Sequence, residues 1–167
     1  MQKLIFYFML LILSLLAALD SQAQTTVYFF ESRVGDEVYS FDPGGRFYHS
    51  ALKYREQILE AHPYYGAHLV SDLQEVNYHL VAILKSQKTV KNFDAKVKAQ
   101  LGKPFNLYSR WEDPNSTQCS KLIGQIIGVS PVLVSDGTIS LSPDTLYREL
   151  KKRGFKEAPI PLASGSK

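Results

Sequence analysis

Short apolar segments separated by turn residues fill the first half of the chain, and apolar residues at helical spacing occur in the second half. Branched and aromatic residues, which favour strands, are concentrated in the first kind of segment. Five strands are predicted on this basis, over residues 26–32, 37–41, 47–54, 57–62 and 77–86. The sequence DPGGR, residues 42–46, indicates a turn, because Pro and two glycines interrupt regular structure.

Two helices are predicted from spacing and end signals. In residues 90–102 apolar side chains recur on one stripe, and Gly102 marks the end of the helix. In residues 142–154, Ser142 suits the N-cap and Pro143 the first helical position. Strands therefore precede helices, which favours an α+β fold over a doubly wound sheet.

A third helix is predicted within the sequence NSTQCSKLIGQIIG, residues 115–128. Its apolar stripe consists of Cys119, Leu122, Ile123, Ile126 and Ile127. Residues 115–117 all suit an N-cap, and Gly128 suits the helix end. Cys119 is thus predicted in the first turn on the inward side, where unpaired N–H groups and the helix dipole favour a thiolate.

The first 23 residues have the pattern of a secretory signal peptide. Lys3 precedes an apolar run without charges, residues 4–19, and Ser21 and Ala23 provide the small residues of a cleavage site. The run is shorter than the roughly 20 residues that span a bilayer comfortably, so cleavage near Ala23 is expected and a stable transmembrane anchor is not. The mature protein is predicted to be periplasmic or secreted.

The length of chain that remains after the signal peptide corresponds to one domain. We assign residues 24–157 to this domain and residues 158–167, which contain Pro, Gly and Ser, to a flexible tail. The net charge is +3, and the basic residues are scattered, so no nucleic-acid partner is predicted. The histidines lack metal-ligand spacing and no phosphate-binding loop is present, so neither a metal nor another cofactor is predicted.

Cys119 is the only cysteine of the chain. A lone cysteine in an exported chain indicates a reactive thiol or an intermolecular bridge, although free cysteines are often small buried hydrophobes. A nucleophile requires a base and a group that orients the base. His49, within a predicted strand, is the best candidate for the base, because Glu60 lies amid apolar residues on the next strand. A short hairpin would bring Glu60 beside His49; the alternative is that Glu60 is a surface residue of an edge strand.

The chain from Gly35 to about Tyr147 resembles the permuted papain-like cysteine hydrolases of the YiiX/YebB group, relatives of the NlpC cell-wall peptidases. The matching stretches, in order, are GDEVYSF, FYHSALKY, ILEA, LGKPFNLYSRW, QCSKLI and LSPDTLY. As in the permuted group, the histidine strand precedes the cysteine helix. The resemblance implies a circularly permuted papain-like fold, with an antiparallel sheet packed against the helix that carries Cys119.

The resemblance also implies roles for individual residues. Cys119 would be the nucleophile, His49 the general base and acid, and Glu60 the residue that orients the imidazole. The Cys119 backbone N–H would donate to the oxyanion. The family has an aromatic residue and a Glu where this chain has Gln118 and Lys121. Gln118 can still donate to an oxyanion, and Lys121 is expected to be solvated.

The implied activity is cleavage of an amide bond through an acyl-enzyme, with cell-wall peptide as the first candidate substrate. An acylated lipid is the second candidate, for a lipid acyl hydrolase or acyltransferase on the same fold. Aromatic residues are candidates for the lining of a substrate pocket: Tyr64, Tyr65, Tyr108 and Trp111. A third alternative is a binding module that has kept the fold and lost the chemistry.

Overall fold

The structure, a computed structural model, describes residues 24–133 and 139–161. The predicted signal peptide lies outside these residues. The strands are β1 Thr25–Val34, β2 Glu37–Tyr39, β3 His49–Tyr54, β4 Gln57–His62, β5 Gly66–Val70, β6 His79–Ser86, β7 Val132–Leu133, β8 Ile139–Ser140 and β9 Lys156–Ala158. The helices are α1 Phe93–Gln100, α2 Cys119–Ile127 and α3 Pro143–Lys152.

Strand β1 is the centre of an open antiparallel sheet. The sheet order is β5-β4-β3-β1-β6-β9, with β2 paired to β1 as a hairpin, and β7 and β8 form a separate pair. The first seven residues of β1 are buried, because its Val, Tyr and Phe side chains have neighbours on both faces of the sheet. The predicted α+β class is confirmed.

Apolar side chains cover each face of the sheet differently. On one face the three helices bury a large cluster that includes Phe29, Leu52, Leu122 and Leu146. On the other face the segment between β5 and β6, residues 71–78, packs against a smaller cluster around Phe30. Complete burial of a Leu or Ile side chain stabilises the fold by about 1.5–3 kcal/mol. The stripe of α2 is thus what holds this helix against the sheet.

Most predicted elements are confirmed, with shifts of a few residues at their ends. Residues 66–70, for which no element is predicted, form strand β5, which pairs with β4 over five residue pairs. Strand β9 was also missed, and it includes Ala158, the first residue of the predicted tail, which pairs with Ile83. Pairing to the sheet edge therefore extends the ordered domain beyond the predicted boundary. No helix in the two described ranges is long and apolar enough to cross a membrane.

The first turn of α3 anchors the chain that leads into β3. Ser142 caps the helix by accepting a hydrogen bond from the Thr145 N–H, as predicted. The Asp144 carboxylate then accepts three hydrogen bonds, from the Ser40 hydroxyl at 2.8 Å, the Arg46 N–H at 2.8 Å and the Phe47 N–H at 3.1 Å. A side chain at Gly45 would collide with this carboxylate, because an added Cβ lies 2.6 Å from Asp144 Oδ2.

We expect Asp144→Ala to lower the free energy of unfolding by about 2–4 kcal/mol, because two backbone N–H groups next to β3 lose their acceptor. Denaturant unfolding followed by circular dichroism measures this loss. Glu149→Ala on the same helix is the control, since it removes a surface ion pair with Lys152 that is worth less than about 1 kcal/mol. Equal losses in the two variants would contradict the anchoring role of Asp144.

Candidate active site

Cys119 is the first residue of helix α2, on the side that faces the sheet, as its periodicity predicted. It is 5% exposed and is a free thiol. The N-cap, however, is Gln118 and not one of residues 115–117 as predicted: the Gln118 Oε1 accepts a hydrogen bond from the Ser120 N–H at 2.9 Å. The Cys119 N–H occupies a position where an α-helix supplies no internal acceptor.

The His49 imidazole and the Glu60 carboxylate meet beside the end of the β3–β4 pairing. That pairing runs from Tyr54–Gln57 to Leu52–Leu59, and the two residues lie just beyond it. His49 Nε2 lies 2.9 Å from Glu60 Oε2, and the residues are 4% and 2% exposed. Glu60 is therefore not a surface residue of an edge strand, and the predicted contact between base and orienting group forms.

The Cys119 thiol and the His49 imidazole stabilise each other's charged forms. Burial opposes both charges, but a hydrogen bond to His49 and its positive charge lower the pKa of Cys119 below its ordinary value. Burial likewise opposes the imidazolium, yet hydrogen bonds to Cys119 and Glu60 and their charges raise the pKa of His49 to about 9. Because Nε2 faces Glu60, Nδ1 is the ring nitrogen left for the thiol. The arrangement favours a thiolate–imidazolium pair.

Two serines join the cysteine helix to the histidine strand. The Ser50 hydroxyl lies 3.3 Å from the Ser120 hydroxyl, so the residues that follow His49 and Cys119 are themselves in contact. The Ser120 hydroxyl lies 3.8 Å from the Cys119 sulfur, and a hydrogen bond from the Ser50 backbone helps to lower the thiol pKa. Both contacts tie the helix that carries Cys119 to the strand that carries His49, and no sequence signal identifies either serine.

The Tyr78 ring packs against the imidazole of His49. Its ring centroid lies 5.0 Å from that of His49, and the rings of Tyr48 and Phe41 continue the row toward the surface. Burial, followed by the negative charges of neighbouring groups that include Cys119 and Glu60, raises the pKa of Tyr78 to about 12. Tyr78 also lines an open cleft of about 540 Å³, whose other walls are Glu31, Ser32, Arg33, Asn77 and His79.

The residues predicted to contact substrate have different surroundings. Gln118 contacts Cys119, since its Oε1 lies 3.5 Å from the Cys119 sulfur, while its Nε2 donates to the Leu141 carbonyl at 3.0 Å. Trp111 packs against the core, where its ring would contact a side chain at Gly124. Tyr108 is 86% exposed and extends into solvent. Tyr64 and Tyr65, at the β4–β5 turn, are also exposed.

Lys121 is buried, and the expectation that it is solvated was wrong. Its ammonium donates to the Ser109 hydroxyl at 2.7 Å and to the carbonyl oxygens of Arg110, Asp113 and Ser116 at 2.6, 2.6 and 2.9 Å. Burial lowers its pKa from the ordinary value. These bonds hold the segment before α2, residues 109–116, against the first turn of the helix. The apolar stripe of α2 cannot predict this role of Lys121, because most of the acceptors are main-chain carbonyl groups of a loop.

Metal ligation has no candidate cluster in the ranges 24–133 and 139–161, where no three His, Cys, Asp or Glu side chains are placed to hold an ion. Comparison of the chain with protein-family models, with curated proteins and with solved structures found no match. The resemblance to the permuted papain-like hydrolases therefore stays a prediction, and the candidate site depends on its own geometry.

We expect Lys121→Met to lower the free energy of unfolding by about 3 kcal/mol or more, because the four hydrogen bonds that hold residues 109–116 to α2 are lost together. Thermal unfolding measures this as a fall in melting temperature of roughly 6 °C or more. Lys98→Met on α1 is the matched control, since Lys98 is exposed. A melting temperature of Lys121→Met within a degree of the Lys98→Met value would contradict the role of the buried ammonium.

We expect Cys119 to react with an alkylating agent at a substantial rate already below neutral pH, because the thiolate is the reactive form and its pKa is lowered. His49→Ala should move the rate profile to higher pH, and Glu60→Gln should move it less. Since Cys119 is the only cysteine, the mass gain of the whole protein reports this site alone.

His79→Ala is the control for this experiment, because His79 is exposed and interacts with Glu31 instead of Glu60. A profile that matches a free thiol, with its pKa near 8.5, and does not move in His49→Ala would refute an activated nucleophile.

Proposed function

We propose that the protein is a cysteine hydrolase that cleaves an amide bond through an acyl-enzyme, with a permuted papain-like arrangement of Cys119, His49 and Glu60. The observation that carries the proposal is the buried contact of 2.9 Å between His49 and Glu60 next to Cys119, whose pKa the imidazole lowers. A structural cysteine requires neither a lowered pKa nor an imidazole held by a buried carboxylate. Perturbed groups that support each other in this way are typical of catalytic sites.

The first half of the reaction follows from the charge pattern. The Cys119 thiolate attacks the carbonyl carbon of the scissile bond, and the carbonyl oxygen takes up the negative charge. The Cys119 N–H, without an acceptor inside the helix, is suited to donate to that oxygen, which is typically worth about 3 kcal/mol of transition-state stabilisation. As the C–N bond breaks, the His49 imidazolium gives its proton to the leaving nitrogen.

The second half returns the site to its starting state. His49 is now neutral and accepts a proton from a water molecule, whose oxygen attacks the thioester carbon. The C–S bond breaks, the acid product leaves, and the thiolate–imidazolium pair is restored. Glu60 stabilises the imidazolium before the first proton transfer and after the second, and it does not need to move.

The residues that line the cleft beside Tyr78 favour a polar substrate. Glu31, Arg33 and Asn77 present an acid, a guanidinium and an amide beside Tyr78, which in turn contacts His49. Glu31 and Arg33 bond to each other, and the remaining donors and acceptors of this pair and of Asn77 can hydrogen-bond the main chain and the charged ends of a peptide, whereas an acyl chain offers them no polar partner. We therefore propose a peptide amide as substrate, with cell-wall peptide as the first candidate because we also propose export.

An acylated lipid is the second candidate, and one surface feature favours it. Val34 and Tyr39 of the β1–β2 hairpin and the neighbouring Phe41 are exposed apolar residues. Phe41 also stacks on Tyr48 at a centroid distance of 5.3 Å and so continues the aromatic row that ends at His49. An acyl chain bound along this row would reach the site from the hairpin side.

We expect the purified mature protein to release peptide fragments from isolated sacculi, and Cys119→Ala to release none. Phospholipid vesicles are incubated in parallel, and mass spectrometry identifies the products of both. The rate should fall above a pH of about 9, since His49 then loses the proton that the leaving nitrogen requires.

Release of fatty acid alone would move the assignment to the lipid hydrolase. Tight binding to sacculi or vesicles without any product would favour a binding module and refute the proposed hydrolysis. Lys98→Met is the control variant, because Lys98 is exposed on α1 and belongs to no proposed part of the site, so the rate should stay unchanged.

A further inference from the structure

The buried Glu60 carboxylate has a second imidazole beside it. Its Oε2 faces His49, and its Oε1 lies 3.4 Å from Nε2 of His68. Glu60 and His68 are direct partners in the β4–β5 ladder, so their side chains leave the sheet on the same side. The carboxylate thus lies between two histidines, of which His49 is buried and His68 is partly exposed.

The other nitrogen of His68 reveals how the ring can interact with Glu60. His68 Nδ1 lies 3.0 Å from the Gly66 carbonyl oxygen, which can only accept, so Nδ1 carries a hydrogen. If the ring is neutral, Nε2 then presents a lone pair to the carboxylate. If the ring is doubly protonated, Nε2 presents an N–H that can donate to Glu60. Both contacts are hydrogen bonds only when each ring nitrogen carries a hydrogen.

The Gly66 carbonyl belongs to a rigid part of the chain. Gly66 has a φ of +67°, and a Cβ at this position would lie 2.3 Å from the Lys103 carbonyl oxygen. The next N–H, of Ala67, donates to that same oxygen at 2.8 Å. A fixed carbonyl keeps the His68 ring in one orientation, with Nε2 directed at Glu60.

Other titratable groups around the two residues do not compete for Glu60 Oε1. The His62 ring lies 6.1 Å from the His68 ring, and its Nδ1 accepts from the Tyr64 N–H. The Tyr65 ring meets His68 edge-on at 5.5 Å. On the far side of Glu60 the charged and titratable neighbours are His49, Cys119 and Tyr78. His68, at 3.4 Å, is therefore the titratable group beside this oxygen.

We propose that His68 is a positioning residue for the catalytic pair: its imidazolium donates to Oε1 of Glu60 and so keeps Oε2 on the imidazole of His49. The inference rests on the proposed function of Cys119 and His49. Without a donor, one oxygen of a buried carboxylate is left unpaired, and the ionised Glu60 becomes less stable. The imidazolium of His49, and with it the thiolate, then loses part of its support.

The test compares His68→Leu with His68→Gln. A Gln side chain carries an N–H donor at about the reach of Nε2 and donates at every pH, whereas Leu fills the volume without a donor. The pH profile of Cys119 alkylation should move upward by about half a unit in His68→Leu, which is about a threefold lower rate on the acid side of the profile. In His68→Gln the profile should stay within about 0.2 units of the wild type.

His62→Leu is the matched control, because His62 is a neighbouring histidine without a contact to Glu60, and its profile should coincide with the wild type. Thermal unfolding of each variant establishes that it is folded at the assay temperature. If Leu and Gln move the profile equally, or neither moves it, the positioning role is refuted while the catalytic pair stands. If the wild-type profile is itself that of a free thiol, the proposed function fails and this inference fails with it.

Discussion

A carboxylate that water cannot reach must find its stabilisation among its neighbours, and this constraint on Glu60 governs the candidate site. Transfer of an unpaired carboxylate into a protein interior is very costly, so buried carboxylates are paired or hydrogen-bonded. At 2% exposure, Glu60 meets this requirement through His49 on one oxygen and His68 on the other. The imidazole of His49 is in turn held in place beside Cys119. The Glu60 carboxylate stabilises the imidazolium of His49, and the imidazolium stabilises the proposed thiolate of Cys119. The thiolate therefore depends on both groups.

Two further buried charges hold the frame around these groups. The Lys121 ammonium fixes the segment that enters α2, and the Asp144 carboxylate fixes the turn that enters β3. Each of them bonds mainly to main-chain groups, which keeps a loop in one conformation at the cost of burying a charge. Cys119 and His49 lie at the ends of these two segments. In the proposed reaction a displacement of about 1 Å between such groups can cost a hundredfold in rate, so rigid loops on both sides would favour it.

The sequence was most informative where periodicity was strong. Branched and aromatic runs predicted β1, β3, β4 and β6, and the stripe of α2 predicted the inward position of Cys119. Strand β5 was missed because GAHLV is short, starts with a glycine and has a histidine at its centre, which weakens the strand signal. The partnership of Glu60 with His68 was missed with it, since it requires the β4–β5 register.

Sequence patterns did not predict the polar contacts between distant segments. Ser116 had the composition of an N-cap, but its hydroxyl bonds to Ser109 and Asp113, and Gln118 caps the helix instead. Which residue caps a helix depends on where packing starts its first turn, and that is set by the loop that Lys121 holds. Lys121 lies off the apolar stripe of α2, so a solvated position was the natural expectation. Helical periodicity cannot predict that the preceding loop folds over this side of the helix.

The two departures from the hydrolase pattern, Gln118 and Lys121, were the features in favour of a binding module without chemistry. Both now have physical roles that are compatible with catalysis. Gln118 caps the helix whose first residue is the nucleophile, and its Oε1 accepts from the thiol when the thiol is protonated. Lys121 directs its charge into loop carbonyls on the side away from the sulfur and so takes no part in the thiolate–imidazolium pair. Neither departure replaces Cys119, His49 or Glu60. The choice between hydrolase and binding module therefore depends on whether the Cys119 thiol is ionised, and no longer on the identity of the residues beside it.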